Sequence, residues 1–198
     1  MWCCPYIRRI QLSVTDVADL PAFAAWRFVD AVDGFEVVYA QPGHLRGHTS
    51  AVEDGQAYAV RYEIALDDRW RTREARVSSD TVAGPRKTVL ISDGEGRWTV
   101  DGEPAPHLDG LIDIDIEASA CTNTLPVHRL PLPLDEVTEA PAAYVRALDL
   151  SVMRLDQTYR RLDDRRYDYT SEADFRAVLE YDAAGLIVDY PGIAVRFA

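Results

Sequence analysis

Residues 113–129 hold the densest set of groups that could do chemistry. Asp113, Asp115 and Glu117 alternate with Ile112, Ile114 and Ile116 in "IDIDIE". Such alternation reads as a strand with carboxylates on one face and isoleucines on the other. Same-face neighbours sit about 7 Å apart. Two carboxylates at that distance repel by about 0.6 kcal/mol in water, and by about 2.4 kcal/mol at an effective dielectric of about 20. On a solvated face the row needs nothing. Inside a curled sheet it needs a cation, a shared proton or a hydroxyl-rich ligand. A carboxylate pair also suits glycoside hydrolysis, with Asp113 and Asp115 as acid and base. That chemistry needs carboxyl groups flanking a scissile bond, and neighbours on one strand face point the same way.

"CTNTLPVHRLPLP" continues the block. Thr122, Asn123 and Thr124 are short hydrogen-bonding side chains that close turns on their own backbone. Pro126 favours an extended Leu125. Pro131 and Pro133 exclude a central strand. The segment is therefore a rigid corner, or a corner whose polar groups also line a binding site. In the second case Arg129 holds a polar head group; in the first it pairs with Asp113 or Asp115.

Other chemistries are poorly served. His44 and His48 in "HLRGH" have the spacing of a helical zinc pair, but Pro42, Gly43 and Gly47 make a loop of it, and no glutamate follows His44. "DGEGRWTVDGE" lacks the spacing of a calcium loop. No serine sits in a nucleophile elbow. Cys121 has only His128 nearby as a base and reads as a buried, inert thiol. No metal and no cofactor is expected. Trp26, Trp70 and Trp98 join ten tyrosines, among them Tyr159, Tyr167, Tyr169, Tyr181 and Tyr190. Aromatic faces stack on sugar rings and accept alkyl chains, although most such residues serve as core.

Short period-two segments must position these groups. "YAVRYEIAL" sets Tyr58, Val60, Tyr62, Ile64 and Leu66 against Ala59, Arg61, Glu63 and Ala65, a half-buried strand. "GFEVVYA" sets Phe35, Val37 and Tyr39 against Glu36 and Val38 in the same way. "KTVLISD" and "RWTV" flank the turn "DGEG", and "VDGEP" brings another Asp-Gly turn. "FRAVLEYD" and "LIVDYPG" form a hairpin, and "IAVRFA" supplies a last strand. Residues 143–163 suit helix or strand, with strand favoured from about 150. A short helix is expected in "TDVADLPAFAAW", capped by Thr15 or Asp16 and interrupted by Pro21. About ten strands in one sheet must curl or split to cover their apolar face, and a concave apolar surface is a natural ligand site.

The chain has 198 residues and is 47% hydrophobic, enough for one packed domain. Its 33 acidic and 21 basic side chains give a net charge of −12. A uniformly acidic surface repels phosphate backbones and anionic membranes, so nucleic acid is not the expected partner. No apolar run is long enough for membrane insertion, and the first residues lack the pattern of a signal peptide. A cytoplasmic protein is expected. Cys3, Cys4 and Cys121 do not make a disulfide framework.

"LDGLIDIDI", "TNTLPVHRL", "QTYRRL", "YDYTS" and "LEYDAAGLIVDYPG" together resemble the bacterial putative glycolipid-binding protein family. "WR…GFE", "YAVRYEIALDDRWRTREARV" and "DGEGRWTVDGE" fit the same pattern in the same order. The resemblance spans residues 24–198 and leaves 1–23 as an extension. It implies a mainly β fold, a strongly curved antiparallel sheet in the form of a spiral β-roll with little helix. That shape is similar to the periplasmic carriers of lipoprotein acyl chains. It also implies non-catalytic binding of a glycolipid or other amphiphilic small molecule in the concavity of the sheet. A hydrolase and a structural domain without a ligand are the alternatives. By motif, the implied ligand-binding residues are Trp26, Glu36, Trp70, Trp98, Asp113, Asp115, Thr122, Asn123, Thr124, Arg129, Tyr159 and Tyr190. Relatives are expected to carry a cysteine where this chain has Ile112, so no thiol is required there.

Overall fold

The computed structural model describes residues 19–198 apart from 31 and 172–174. The strands are β1 (Phe23–Phe28), β2 (Val32–Gln41), β3 (His44–Glu53), β4 (Gln56–Leu66), β5 (Thr72–Thr81), β6 (Gly84–Ser92), β7 (Trp98–Val100), β8 (Glu103–Pro104) and β9 (Asp113–Ile116). After one short helix, α1 (Thr124–Arg129), come β10 (Val137–Glu139), β11 (Ala142–Val145), β12 (Val152–Leu155), β13 (Gln157–Arg161), β14 (Arg166–Ser171), β15 (Phe175–Tyr181), β16 (Ile187–Tyr190) and β17 (Ala194–Arg196). Among the described residues no helix is long and apolar enough to cross a membrane.

Fourteen strands form one antiparallel sheet in the order β10-β13-β14-β15-β16-β17-β1-β2-β3-β4-β5-β6-β7-β8. Tight turns make this possible. Asp54 and Gly55 join β3 to β4 with φ of 48° and 74°, and Asp101 and Gly102 join β7 to β8 with 51° and 87°. Two successive positive φ values match the twist of the flanking strands. A second, three-stranded sheet, β12-β11-β9, contains a parallel pair, β9 with β11. It belongs to the stretch 105–155, which, apart from β10, lies on the inner face of the large sheet.

The large sheet is curved around that stretch. Ser119 bonds to Tyr62 on β4, and Asn123 bonds to Tyr159 on β13. In a flat sheet β4 and β13 would be eight strand spacings, about 38 Å, apart. Residues 119–123 run into a 3₁₀ turn and span about 8 Å, to which the four side chains and their two hydrogen bonds add roughly 25 Å at full stretch, still short of that distance. Only a sheet bent around the segment lets both bonds form. The concavity is therefore occupied by the chain itself: Leu108, Leu111, Ile114, Ile116 and Leu125 are fully buried there. The expected hollow is filled by residues 105–155 apart from β10, because an apolar sheet face of this size gains more from a packed insert than from open space.

Several local expectations are reversed. Residues 23–28 are strand β1, not helix; Thr15, Asp16, Cys3 and Cys4 lie outside the described residues. "HLRGH" opens β3 rather than forming a loop. On β2 it is Glu36 and Val38 that are buried, while Phe35 and Tyr39 are exposed. "TLPVHR" is helical because Pro126 falls in the first turn, where backbone N–H groups have no helical partner and proline costs nothing.

Candidate functional site

Two of the acidic row, Asp113 and Asp115, face inward. Asp113 is fully buried, and both its oxygens accept bonds at 2.7 Å from Nε and an Nη of Arg129. Of the two readings of Arg129, the structure has the pairing. Burial raises the Asp113 carboxyl and the guanidinium opposes it. Asp115 accepts the Thr122 hydroxyl at 2.6 Å. Burial pushes its pKa up to about 6, with Asp113 and Glu117 adding repulsion. Glu117 accepts the Ala147 N–H at 2.7 Å.

Glu36 reaches the same interior from β2. Its carboxylate takes the Tyr62 hydroxyl and the N–H groups of Ala120 and Cys121, the last two at 2.8 and 3.3 Å. Tyr62 crosses over Gly47 to make this contact. A Cβ at residue 47 would fall 2.0 Å from the Tyr62 ring, so only glycine fits. Burial pushes the Glu36 pKa up to about 7 against those three donors. Cys121 beside it is a buried free thiol, pushed well up by burial.

The aromatic residues sort into two groups. Trp26 and Trp98 are buried, and their indole N–H groups each donate at 2.8 Å to a backbone carbonyl, Ile187 and Leu111 respectively. Tyr159 receives the Asn123 amide at 2.8 Å, and the Tyr181 hydroxyl donates to the Asn123 carbonyl. Tyr190 packs edge-on against Tyr169. Thr124 is buried, its hydroxyl without a hydrogen-bond partner among the described residues. The structure thus gathers Glu36, Asp113, Asp115, Thr122, Asn123, Thr124 and Tyr159 into the interior, all but Thr124 fixed by hydrogen bonds to side chains or backbone.

That interior array positions a cleft at its end. Asn123 and Arg129 pin the two ends of α1, so His128 stands at a fixed place. Its ring stacks on Trp70 at 3.7 Å between centroids and 17° between planes. Nε2 lies 2.9 Å from the Ala184 carbonyl, an acceptor only, so Nε2 carries the proton. Burial lowers the His128 pKa, which keeps the ring neutral at pH 7. Trp70 sits in the β4–β5 turn with φ of 62°, a left-handed conformation that bulky residues avoid. Asp67 imposes it: its Oδ1 accepts the N–H groups of Arg69 and Arg71 at 2.9 and 3.0 Å, and Arg71 Nε bonds Oδ2 at 2.8 Å.

Trp70 and His128 line a cleft of about 540 Å³ at the end of the sheet, where the β2–β3 and β4–β5 turns approach α1. Leu20, Ala40, Leu45 and Leu66 supply apolar wall, and Gln41, His44, Asp67 and Asp68 supply polar atoms. Of the residues expected at a ligand, only Trp70 lines this cleft. His128, Asp67 and Asp68 were not expected there. The readable signal was "DDRWR", an aspartate-initiated turn that presents a tryptophan.

A crystal structure of a DUF1089 family protein from Pseudomonas aeruginosa is similar to this chain. The two share 35% identity over 87% of this chain and 95% of that one, with a TM-score of 0.79. No curated protein matches the chain. The model of the family described as "Putative glycolipid-binding" matches residues 23–196. The chain belongs to that family.

Proposed function

We propose that the protein binds, without catalysis, the sugar-like head of an amphiphile in the Trp70–His128 cleft. The observation that carries this reading is Trp70 itself. A tryptophan held in a left-handed turn and stacked on a neutral histidine costs backbone energy of about 1–2 kcal/mol, and such strain is retained where the half-buried group it positions is put to use. A sugar ring stacks on an indole face, and nearby carboxylates and amides accept and donate to its hydroxyls. The cleft volume lies within the range of small-molecule sites. Its leucines give a first alkyl segment something apolar to follow. The family description agrees with a glycolipid-like ligand. Hydrolysis by Asp113 and Asp115 is disfavoured, because Arg129 and Thr122 hold those carboxyls in the interior.

Isothermal titration with octyl glucoside below its micelle concentration tests the reading. Binding is expected for the parent protein and at least tenfold weaker binding for Trp70→Ala. Equal affinity for the two, with the fold intact, would overturn it.

A further inference from the structure

The acidic surplus is not spread evenly. Strands β1–β6 turn one face to the inserted stretch and the other, convex face away from it. On the convex face His48, Arg61, Ser78 and Lys87 lie side by side in one register row. The adjacent row holds Tyr39, Arg46, Glu63, Arg76 and Val89. Lys87 is the chain's single lysine. The ion pairs among the described residues leave out Arg46, Arg61 and Lys87. Arg61, Arg76, Ser78 and Lys87, with Glu63, line a shallow trough of about 340 Å³.

Next to the cations the same face turns apolar. Phe23 and Tyr39 oppose each other across β1 and β2, and Phe35 opposes Arg27. These three rings are 52%, 46% and 49% exposed. Val195 and Phe197 extend the patch along the C-terminal edge of β1. Arg61 and Lys87 have no anion in their row, while Glu63 lies between Arg46 and Arg76 in the next. Arg46 and Arg27 stack on Tyr39 and Phe197, and Phe23 and Phe35 keep about half their area in water, where hydration of apolar surface is unfavourable. One kind of surface answers both needs, a bilayer with anionic head groups above hydrocarbon. A second copy docked by the same face covers the rings but offers Arg61 and Lys87 only its own basic rows.

We propose that the convex face of β1–β6 docks on an anionic phospholipid bilayer, with Arg61 and Lys87 on the head groups and Phe35 and Tyr39 at the interface. The remaining acidic groups oppose this only over a Debye length of about 8–10 Å, so the local face decides. The proposal deepens the amphiphile reading by naming where the ligand is collected, and its test does not need the ligand.

The test is co-sedimentation of the full chain with vesicles of phosphatidylglycerol and phosphatidylcholine, and with phosphatidylcholine alone. Binding is expected only to the anionic vesicles, falling as salt rises. A basic residue near such a surface changes affinity about fivefold, so Arg61→Gln with Lys87→Gln should weaken binding about 25-fold. Phe35→Ser with Tyr39→Ser should weaken it as well. All four positions are solvent-exposed, and an unchanged melting temperature checks each fold. Equal binding to both vesicles, or no effect of the charge variant, would overturn the proposal. So would displacement by millimolar inorganic phosphate, which marks a free-phosphate site, or a dimer in sedimentation equilibrium that Phe35→Ser dissolves. Loss of vesicle binding with octyl glucoside binding retained would sink docking alone. Vesicle binding without octyl glucoside binding supports docking and sinks the Trp70 reading alone.

Discussion

Replacing Glu36 by glutamine should remove a pH dependence that this one carboxyl gives to stability. Its ordinary pKa of 4.5 is pushed up to about 7 by burial in the folded protein. Between those values the folded state keeps a proton that the unfolded chain has released. Stability is therefore highest below pH 4.5, falls as pH rises, and levels off above about 7. The full effect is about 3 kcal/mol at 1.36 kcal/mol per pH unit, of which about 2.5 kcal/mol appears between about pH 5 and 8. Glutamine copies the protonated carboxyl. Its carbonyl still accepts from Ala120 and Cys121, and its amide donates to the Tyr62 hydroxyl, so the packing survives. Urea unfolding of both proteins across this pH range isolates the effect, because every other titrating group cancels in the difference. The variant should gain about 1 M in midpoint relative to the parent from pH 5 to 8, for a slope of about 2.5 kcal/mol per M. A difference that stays constant with pH would refute the reasoning, since the carboxyl would then be ionised in the fold at every pH tested.

Two further substitutions test the packing that holds the site. Arg129→Met leaves Asp113 buried without its partner and should cost about 3–5 kcal/mol at pH 7 by urea unfolding. Part of that loss should return in acid as Asp113 takes a proton, and a deficit independent of pH would argue against an inward, ionised Asp113. Gly47→Ala drives a methyl into the Tyr62 ring and should lower the melting temperature. It should also steepen the pH dependence traced to Glu36, because the Tyr62 hydroxyl is one of the donors that hold that pKa down, whereas a wild-type melting curve would mean that Tyr62 does not cross at that point.

The strands were legible and the interior was not. "YAVRYEIAL" and the Asp-Gly turns fix β4 and its neighbours by period and turn chemistry alone. The facing of β2 was misread because hydrophobicity is a one-way rule. Phe35 and Tyr39 are exposed, and Glu36 is buried by donors 84 and 85 residues away in sequence. A local pattern carries no trace of such partners. "TNTLPVHR" reads as a corner if Pro126 makes Leu125 extended, but a proline in a first helical turn is compatible with the helix that forms. Trp70 was legible as a position to watch from the family pattern, and it lines the cleft. Its stacking partner His128 was not, since the two are brought together only when the insert fills the curved sheet.

The indole N–H resonances of nitrogen-15-labelled protein, followed while an alkyl glycoside is added, test the central claim most directly. Trp26 and Trp98 are bonded to carbonyls in the interior and should stay in place. The resonance absent from Trp70→Phe should move and saturate. Movement of Trp26 or Trp98 with Trp70 unchanged would put the ligand inside the sheet and contradict the account.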